Sequence, residues 1–139
     1  MSKPFTTVIS VASLDIDPAG LVYFGAYPNY LTRAEDEFLS AMVGSRSHIE
    51  EESSVKLFRR EVRIKHDRAA RCGDQLEVSL WISHVSDHSV TYSFRFVSQA
   101  TRDSVAGGSV TMVALSRPDL EESMLPRPLH RRLRELCLP

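Results

Sequence analysis

Residues 27–44, YPNYLTRAEDEFLSAMVG, decide the fold of this chain, because they form its one long amphipathic segment. Apolar side chains recur there at the three- and four-residue steps of one helix face: Tyr27, Tyr30, Leu31, Ala34, Phe38, Ala41 and Met42. Charged side chains fall mostly on the other face and are predicted to be solvated: Arg33, Glu35, Asp36 and Glu37. Gly44 follows at the position where a helix C-terminus favours positive φ. The segment therefore predicts one long helix.

The segments on either side of this helix carry the patterns of β-strands. Residues 5–14, FTTVISVASL, are rich in β-branched side chains and predict a strand ahead of the helix. Residues 45–54, SRSHIEEESS, predict a polar loop behind it, and residues 55–116 predict about four long strands. Two of those strands alternate regularly between apolar and other positions: Leu76, Val78, Leu80 and Ile82 in one, and Val90, Tyr92, Phe94 and Phe96 in the next.

Turn residues separate these strands. Residues 86–89 and 100–104 have the composition of hairpin turns. Gly107 and Gly108, inside the last strand, indicate a bulge or a close approach of two backbones. Residues 125–139, LPRPLHRRLRELCLP, predict a short basic amphipathic helix at the end of the chain.

A single long helix must bury its apolar face against the predicted strands. One flat sheet face would leave much of that helix wet, so the sheet must curl around it. We therefore predict an α+β hotdog fold, in which a curved antiparallel sheet of about five strands wraps one central helix. The prediction is one domain over residues 1–139. Sheet edges and the outer face would still need cover, which predicts a homo-oligomer, either a dimer or a tetramer.

Composition and charge narrow the possible functions. Of the 139 residues, 42% are hydrophobic and 25% are charged, as in ordinary globular proteins, and the net charge of −1 argues against a nucleic-acid partner. No apolar run approaches the roughly 18 residues that would span a membrane. The N-terminus has no apolar signal-peptide core, so a cytoplasmic location is expected. Cys72 and Cys137 are far apart in the sequence and are expected to be reduced thiols.

Residues 15–30, DIDPAGLVYFGAYPNY, place two carboxylates directly before an apolar and aromatic run. Pro18 and Gly20 allow a tight turn that projects Asp17 from the end of a strand. The helix that follows begins with N–H groups that have no partner inside the helix, and with the positive end of its dipole. Such groups stabilise an oxyanion, and removing one commonly lowers a rate by about 10²–10³-fold. The stretch is therefore either a capped turn or a reaction site.

Four stretches, in order, resemble the 4-hydroxybenzoyl-CoA thioesterase family of hotdog proteins. The first is DIDPAGLVYFGAYPNYLTRAEDEFL (15–39), which is similar to the family pattern D-x-D-x-x-G-x-V-Y/W followed by an aromatic helix start. The others are HDRAARCGDQLEV (66–78), GGSVTMVAL (107–115) and PRPLHRRL (126–133). One D-x-D would be a weak signal, but the resemblance covers nearly the whole chain in the right order.

The resemblance implies hydrolysis of an acyl thioester at a dimer interface, without a cofactor. The family's catalytic carboxylate matches Asp17, and its carbonyl-polarising backbone N–H falls near Phe24. Asp17 would either attack the thioester carbonyl or activate water as a general base, and the sequence leaves both routes open. The residues expected to bind substrate are Gly20, Tyr23, Tyr27, Tyr30, Arg59 and Arg63.

Less specific interpretations stand beside these assignments. Asp17 could be only a turn residue, as Asp often is, and Asp15 is better explained by a structural hydrogen bond. The aromatic residues are mostly core by default, although some would line an acyl or aryl pocket. Many relatives carry His at the position of Phe24 and an acidic residue at that of Thr32. Both departures leave the site more apolar and weaken the transfer of substrate identity.

The basic stretch 56–71, KLFRREVRIKHDRAAR, is a second candidate for binding. On a regular strand, Arg59, Arg63 and Lys65 would share one face and could dock coenzyme A phosphates or an acidic acyl carrier protein. Such runs are more often a solvated face or an oligomer contact. His84 and His88, four apart on or near strands, would lie too far apart for one ion, so no metal site is predicted.

The sequence thus predicts a thioesterase that cleaves an acyl- or aryl-CoA to the free acid and the thiol. One alternative is a pathway thioesterase that releases a polyketide or aryl product from an acyl carrier protein. Another is a hotdog protein that binds an acyl ligand without turnover, which the absence of a second polar group at Thr32 keeps open. No nucleic-acid or membrane partner is expected.

Overall fold

Antiparallel strands and three helices make up the fold in the computed structural model, which describes residues 3–139. The first two residues of the predicted 1–139 domain lie outside that range. The helices are α1 (Ala26–Met42), α2 (Arg46–Ser53) and α3 (Arg127–Leu136). The strands are β1 (Phe5–Ser10), β2 (Val55–His66), β3 (Gln75–Val85), β4 (Ser89–Ser98), β5 (Ser104–Ser116) and β6 (Glu122–Ser123).

One sheet holds all the described strands in the order β1-β3-β4-β5-β2, with the short β6 paired to β5. Every neighbouring pair is antiparallel, and β1 and β2 form the two edges. The long helix α1 buries one face in the same core as the inner faces of the strands. This is the α+β hotdog fold that the sequence predicts.

The alternation that predicts β3 and β4 is confirmed, because the eight apolar positions named for them are all buried. The predicted turns lie between β3 and β4 and between β4 and β5. The predicted close approach at the glycines is also confirmed. A Cβ on Gly108 would lie 1.8 Å from the carbonyl oxygen of Arg63 in the neighbouring β2, so only glycine fits without a backbone shift. Gly44 has φ +142°, and its N–H donates to the Leu39 carbonyl oxygen.

Two predicted boundaries are wrong. Strand β1 ends at Ser10 rather than at residue 14, because the chain then enters a single 3-10 turn, Ser13–Asp15, which leaves Leu14 exposed. The segment 45–54 is mostly the helix α2 rather than a loop. The Ser45 side chain caps α2 by accepting a hydrogen bond from the His48 N–H. Ile49 is the one buried residue of α2 among the described side chains. The sequence of this segment therefore lacks the repeating apolar positions of an amphipathic helix.

Two positions on α1 also differ from their predicted environments. Ala41, predicted on the buried face, is exposed, because it lies one turn after the exposed Glu37 on the outer side of the helix, while Met42 packs against the core. Glu35 was placed among solvated charges but is only 1% exposed, and it lies between the buried residues Leu31 and Leu39 on the same face. The apolar face of α1 therefore contains a carboxylate at its centre.

Candidate active site

The Asp-Pro-Ala-Gly sequence forms the predicted tight hairpin immediately before α1. The Gly20 N–H donates to the Asp17 carbonyl oxygen at 2.9 Å, and the Asp17 N–H donates to that of Leu21 at 2.8 Å. Gly20 has φ +86°, which few other residues adopt at low cost. Ile16 and Val22 then pair across the hairpin as an antiparallel bridge. In the sequence, Asp17 therefore lies on a hairpin that leads directly into the first turn of α1.

The Asp17 carboxylate is half-buried, and its two oxygens have different environments. Its Oδ1 accepts hydrogen bonds from the backbone N–H groups of Ala19 at 2.9 Å and Leu21 at 3.2 Å. Its Oδ2 has no hydrogen-bond or ion-pair partner in the part of the chain that the structure describes. One oxygen therefore orients the side chain while the other remains free to meet a substrate or a water molecule. The turn role and a catalytic role are compatible.

The start of α1 presents two free backbone donors. The helix begins at Ala26, and Gly25, which precedes it, has no side chain that could cap it. The N–H groups of Phe24 and Gly25 have no acceptor within residues 3–139. With the helix dipole behind them, such donors favour negative charge in front of the helix end. The Phe24 side chain is 71% exposed and is therefore not packed over the start of the helix.

The aromatic residues around the hairpin divide into a buried and an exposed pair. Tyr27 and Tyr30 are each 2% exposed and belong to the core, whereas Tyr23 and Phe24 are exposed and contact each other edge to face, with ring centroids 5.0 Å apart. The Tyr30 hydroxyl donates to Asp15 Oδ2 at 2.7 Å, which confirms the structural role expected for Asp15. Burial, and then this hydrogen bond, raises the pKa of the Tyr30 phenol well above its ordinary value, so it remains a donor.

Tyr30→Phe removes that donor and leaves the Asp15 carboxylate with one hydrogen bond fewer. We expect the free energy of unfolding to fall by about 1–3 kcal/mol, the usual range for a hydrogen bond to a charged group. Urea denaturation followed by circular dichroism would measure it. Tyr23→Phe is the matched control, because no hydrogen bond of the Tyr23 hydroxyl is present among residues 3–139. Equal effects of the two variants would contradict the prediction.

His66 is a site residue that the sequence interpretation did not identify. It ends β2, and its ring lies edge to face with that of Tyr27, with centroids 4.9 Å apart. Tyr27 is the second residue of α1, so an exposed imidazole lies beside the first turn of the helix. The two residues are 39 positions apart. Their contact depends on the packing of α1 against the sheet, and no local sequence pattern reveals it.

The two arginines assigned to substrate binding lie on opposite faces of β2, contrary to the predicted shared face. A β-bulge shifts the register between Arg59 and Glu61 and reverses the alternation after it. Arg59 pairs with the buried Met112, while Arg63 pairs with Ser109 on the other face. Arg63 is exposed and contacts Glu61 at 3.2 Å. The arginines therefore cannot form the single basic face expected from regular alternation.

Arg59 belongs instead to a buried charge cluster around Glu35. Its Nε and Nη2 donate to the two Glu35 oxygens at 3.1 and 2.5 Å. Arg46, the first residue of α2, also pairs with Glu35, and the Tyr92 hydroxyl donates to Glu35 at 2.6 Å. Burial, and then the Glu35 charge, raises the pKa of the Tyr92 phenol well above its ordinary value. The cluster joins α1, α2, β2 and β4 through one carboxylate.

Other kinds of site find little support in the described residues. Within residues 3–139, no three His, Cys, Asp or Glu side chains are grouped so that they could hold a metal ion. In the same range, no helix is both long enough and apolar enough to cross a bilayer. The hairpin and the start of α1 are therefore the arrangement with the clearest chemical capacity.

Comparisons with known proteins identify the family and the fold of this chain. Residues 11–125 match the family model of the thioesterase-like superfamily. The 1,4-dihydroxy-2-naphthoyl-CoA hydrolase of Synechocystis is 27% identical over 124 residues, which cover 89% of this chain and 90% of that relative. A crystal structure of a 1,4-dihydroxy-2-naphthoyl-CoA thioesterase from Synechocystis has a TM-score of 0.87 and 26% identity, and covers 99% of this chain and 100% of its own. A DHNA-CoA thioesterase structure from Staphylococcus aureus, at 15% identity, supports the fold alone; its TM-score is 0.86, with 94% and 88% covered.

Proposed function

Since this chain belongs to the thioesterase-like superfamily, we propose that it is a thioester hydrolase that acts on acyl- or aryl-CoA substrates. The observation that carries the proposal is the free Oδ2 of Asp17 on the hairpin that leads into two unpaired helix-start N–H groups. A carboxylate can serve as the nucleophile or general base for hydrolysis of a thioester carbonyl, and the N–H groups can stabilise the oxyanion that forms.

The relatives favour an aryl substrate. The Synechocystis relative is named for a bicyclic aryl-CoA. Tyr23 and Phe24 are exposed beside the hairpin and could cover an aromatic ring. We therefore place aryl-CoA thioesters, with one or two rings, ahead of alkyl ones.

The proposed reaction has two possible forms. In one, the Asp17 carboxylate attacks the carbonyl carbon, the thiolate leaves, and water then opens the mixed anhydride. In the other, Asp17 removes a proton from a water molecule that attacks the carbonyl, and the thiolate leaves directly. In both, the Phe24 N–H, helped by that of Gly25, would donate to the carbonyl oxygen as it gains charge. Gly20 contributes to the site by allowing the tight turn that holds Asp17, and not by contact with the substrate.

The direct test is release of free thiol from a panel of benzoyl-, naphthoyl-, short-chain and long-chain acyl-CoA substrates. We expect turnover, with aryl substrates having the highest kcat/KM. If no CoA ester is cleaved but a carrier-protein thioester is, the substrate is the carrier-bound form. Co-purified acyl or aryl ligand without any thiol release would instead establish a binding protein.

We further propose that the protein forms a homodimer through the β2 edge. β2 runs for 12 residues and pairs only with β5 among the described strands; α2 side chains bond the backbone of Leu57 on its other side, and the edge beyond that residue has no strand partner. It also exposes two large apolar side chains, those of Phe58 and Val62. An open strand edge that exposes apolar side chains among charged ones is normally covered, and a second copy that pairs there would satisfy its free backbone groups.

Val62→Lys should weaken this dimer, because it places a desolvated charge at the paired edge. We expect the dissociation constant to rise by about tenfold or more, measured by analytical ultracentrifugation. Val8→Lys is the matched control: Val8 is also 45% exposed but lies on β1, the opposite edge. A dimer that survives Val62→Lys, or that dissociates equally in both variants, would place the interface elsewhere.

A further inference from the structure

A groove of about 360 Å³ lies at the end of α1 opposite to the hairpin. Its walls are largely apolar side chains from β1, α1, β3 and α3: Phe5, Phe38, Met42, Leu80, Ile82 and Leu136. Because α1 has 17 residues at about 1.5 Å each, its C-terminal turn is roughly 25 Å from the first turn beside Asp17. The groove is therefore separate from the candidate active site of the same chain.

Two segments, β1 and the C-terminal tail, pair with the same edge of β3. The groove is the gap that they leave between them. β1 begins its pairing at Phe5, which lies opposite Leu80. The C-terminal tail pairs at Ile82, where the Leu138 N–H donates to the Ile82 carbonyl oxygen at 2.8 Å and Cys137 forms a bridge. Trp81 lies between these two points and lines the groove. The opening follows from the strand register rather than from a loose loop.

The size and the lining of the groove indicate the class of molecule that would fill it. Small-molecule sites commonly measure about 300–1,000 Å³ and combine apolar walls with a few polar groups. Lys3 is the only charged residue that lines this groove within the described chain, and the Thr6 hydroxyl is a second polar group.

We propose that this groove binds an apolar carboxylate, such as a medium-chain or aryl acid, with its carboxylate near the Lys3 ammonium. The apolar tail would cover the apolar side chains that now line the groove. The acid released in the proposed reaction belongs to this class, so the site could hold product away from Asp17. The proposal rests on the lining of the groove and not on the hydrolase activity.

Trp81 provides the measurement, because it is the only tryptophan in the chain. We would titrate the full-length protein with octanoate and follow Trp81 emission, and measure affinity by calorimetry. We expect saturable binding with a shift in emission, and the same response from the Asp17→Asn protein. If the response disappears in Asp17→Asn, the ligand occupies the candidate active site and the proposal is wrong. A response that persists in a protein without thioesterase activity would leave the groove site standing and overturn only the proposed function.

Three variants test the position of the ligand. Lys3→Gln should weaken octanoate binding by up to about fivefold, as for an exposed ion pair, and leave binding of the neutral 1-octanol unchanged. Met42→Glu places a like charge in the groove and should weaken octanoate on the order of tenfold or more. Ala41→Glu is its control, since it makes the same charge change at a neighbouring exposed residue that does not line the groove.

Two results would overturn the proposal. One is octanoate binding that neither Lys3→Gln nor Met42→Glu weakens. The other is an absence of octanoate binding by calorimetry and by Trp81 emission, whether or not that emission changes on dilution of the protein. A change on dilution would then assign the groove to a contact between copies of the chain.

Discussion

Asp17→Asn is expected to lower kcat for aryl-CoA hydrolysis by about 10²–10⁴-fold, the usual contribution of a positioned acid–base group. The amide can neither attack the carbonyl nor take a proton from water. It can, however, still accept the hydrogen bonds that Ala19 and Leu21 donate to Oδ1, so the hairpin should keep its shape. The loss should therefore appear in kcat with little change in the free energy of unfolding. Thiol release and urea denaturation on the same preparations would measure both.

Asp15→Asn is the matched control for this variant. It makes the same change of charge two residues away, and the amide oxygen can still accept the Tyr30 hydrogen bond. We expect kcat to fall by less than about tenfold, because Asp15 accepts a structural hydrogen bond and has no proposed role in the reaction. Activity that survives in Asp17→Asn, or an equal loss in both variants, would show that Asp17 is not the catalytic carboxylate.

The same site allows the two routes to be separated. In single-turnover hydrolysis in H₂¹⁸O, an anhydride on Asp17 can be opened by water at the aspartyl carbon, which would leave ¹⁸O in the protein. The general-base route places ¹⁸O only in the released acid. Mass spectrometry of the peptide that contains Asp17 would distinguish these outcomes.

Glu35→Ala is expected to lower the free energy of unfolding by about 3–5 kcal/mol, the cost of breaking a buried ion pair by removing one partner. The substitution leaves the Arg59 and Arg46 guanidinium groups beside a cavity and removes the acceptor of the Tyr92 hydroxyl. Urea or thermal denaturation would measure the loss. An oligomer must be compared at fixed protein concentration.

Asp36→Ala provides the control on the next residue of α1. Asp36 is exposed, and its nearest cation in the described chain is Arg46 at 3.9 Å. We expect a change of no more than about 1 kcal/mol, as for other surface pairs. If Glu35→Ala destabilised the protein no more than Asp36→Ala, the cluster would not contribute to stability.

The parts of the fold that could be predicted are those in which nearby residues in the sequence show a regular apolar repeat or a turn signal. α1, β3 and β4 each repeat apolar residues at the spacing of their own structure, and the hairpin at Asp17 is encoded by Pro18 and Gly20. The helix α2 could not be found in this way, since only one of its described side chains is buried. Its stability depends on the Ser45 cap and on contact with the rest of the protein.

The errors at charged residues have a different cause. Glu35 is four residues from both Leu31 and Leu39, so a helical wheel places it on the buried face, but a carboxylate there is unfavourable without partners. Those partners, Arg46, Arg59 and Tyr92, come from other elements and could not be inferred from α1 alone. The arginines of β2 were misplaced because one inserted residue reverses the facing of every later side chain.

The uncapped start of α1 has a consequence for how binding and folding are coupled. A helix whose first N–H groups find no partner within residues 3–139 lacks the capping hydrogen bond of a side chain, which at a glycine N-cap costs about a few tenths of a kcal/mol. An anionic ligand seated there supplies that missing interaction only to the folded chain. By linkage, it then raises the free energy of unfolding as RT ln(1 + [L]/Kd). An anion that binds at the helix start should therefore raise the thermal stability of the protein in proportion to its affinity.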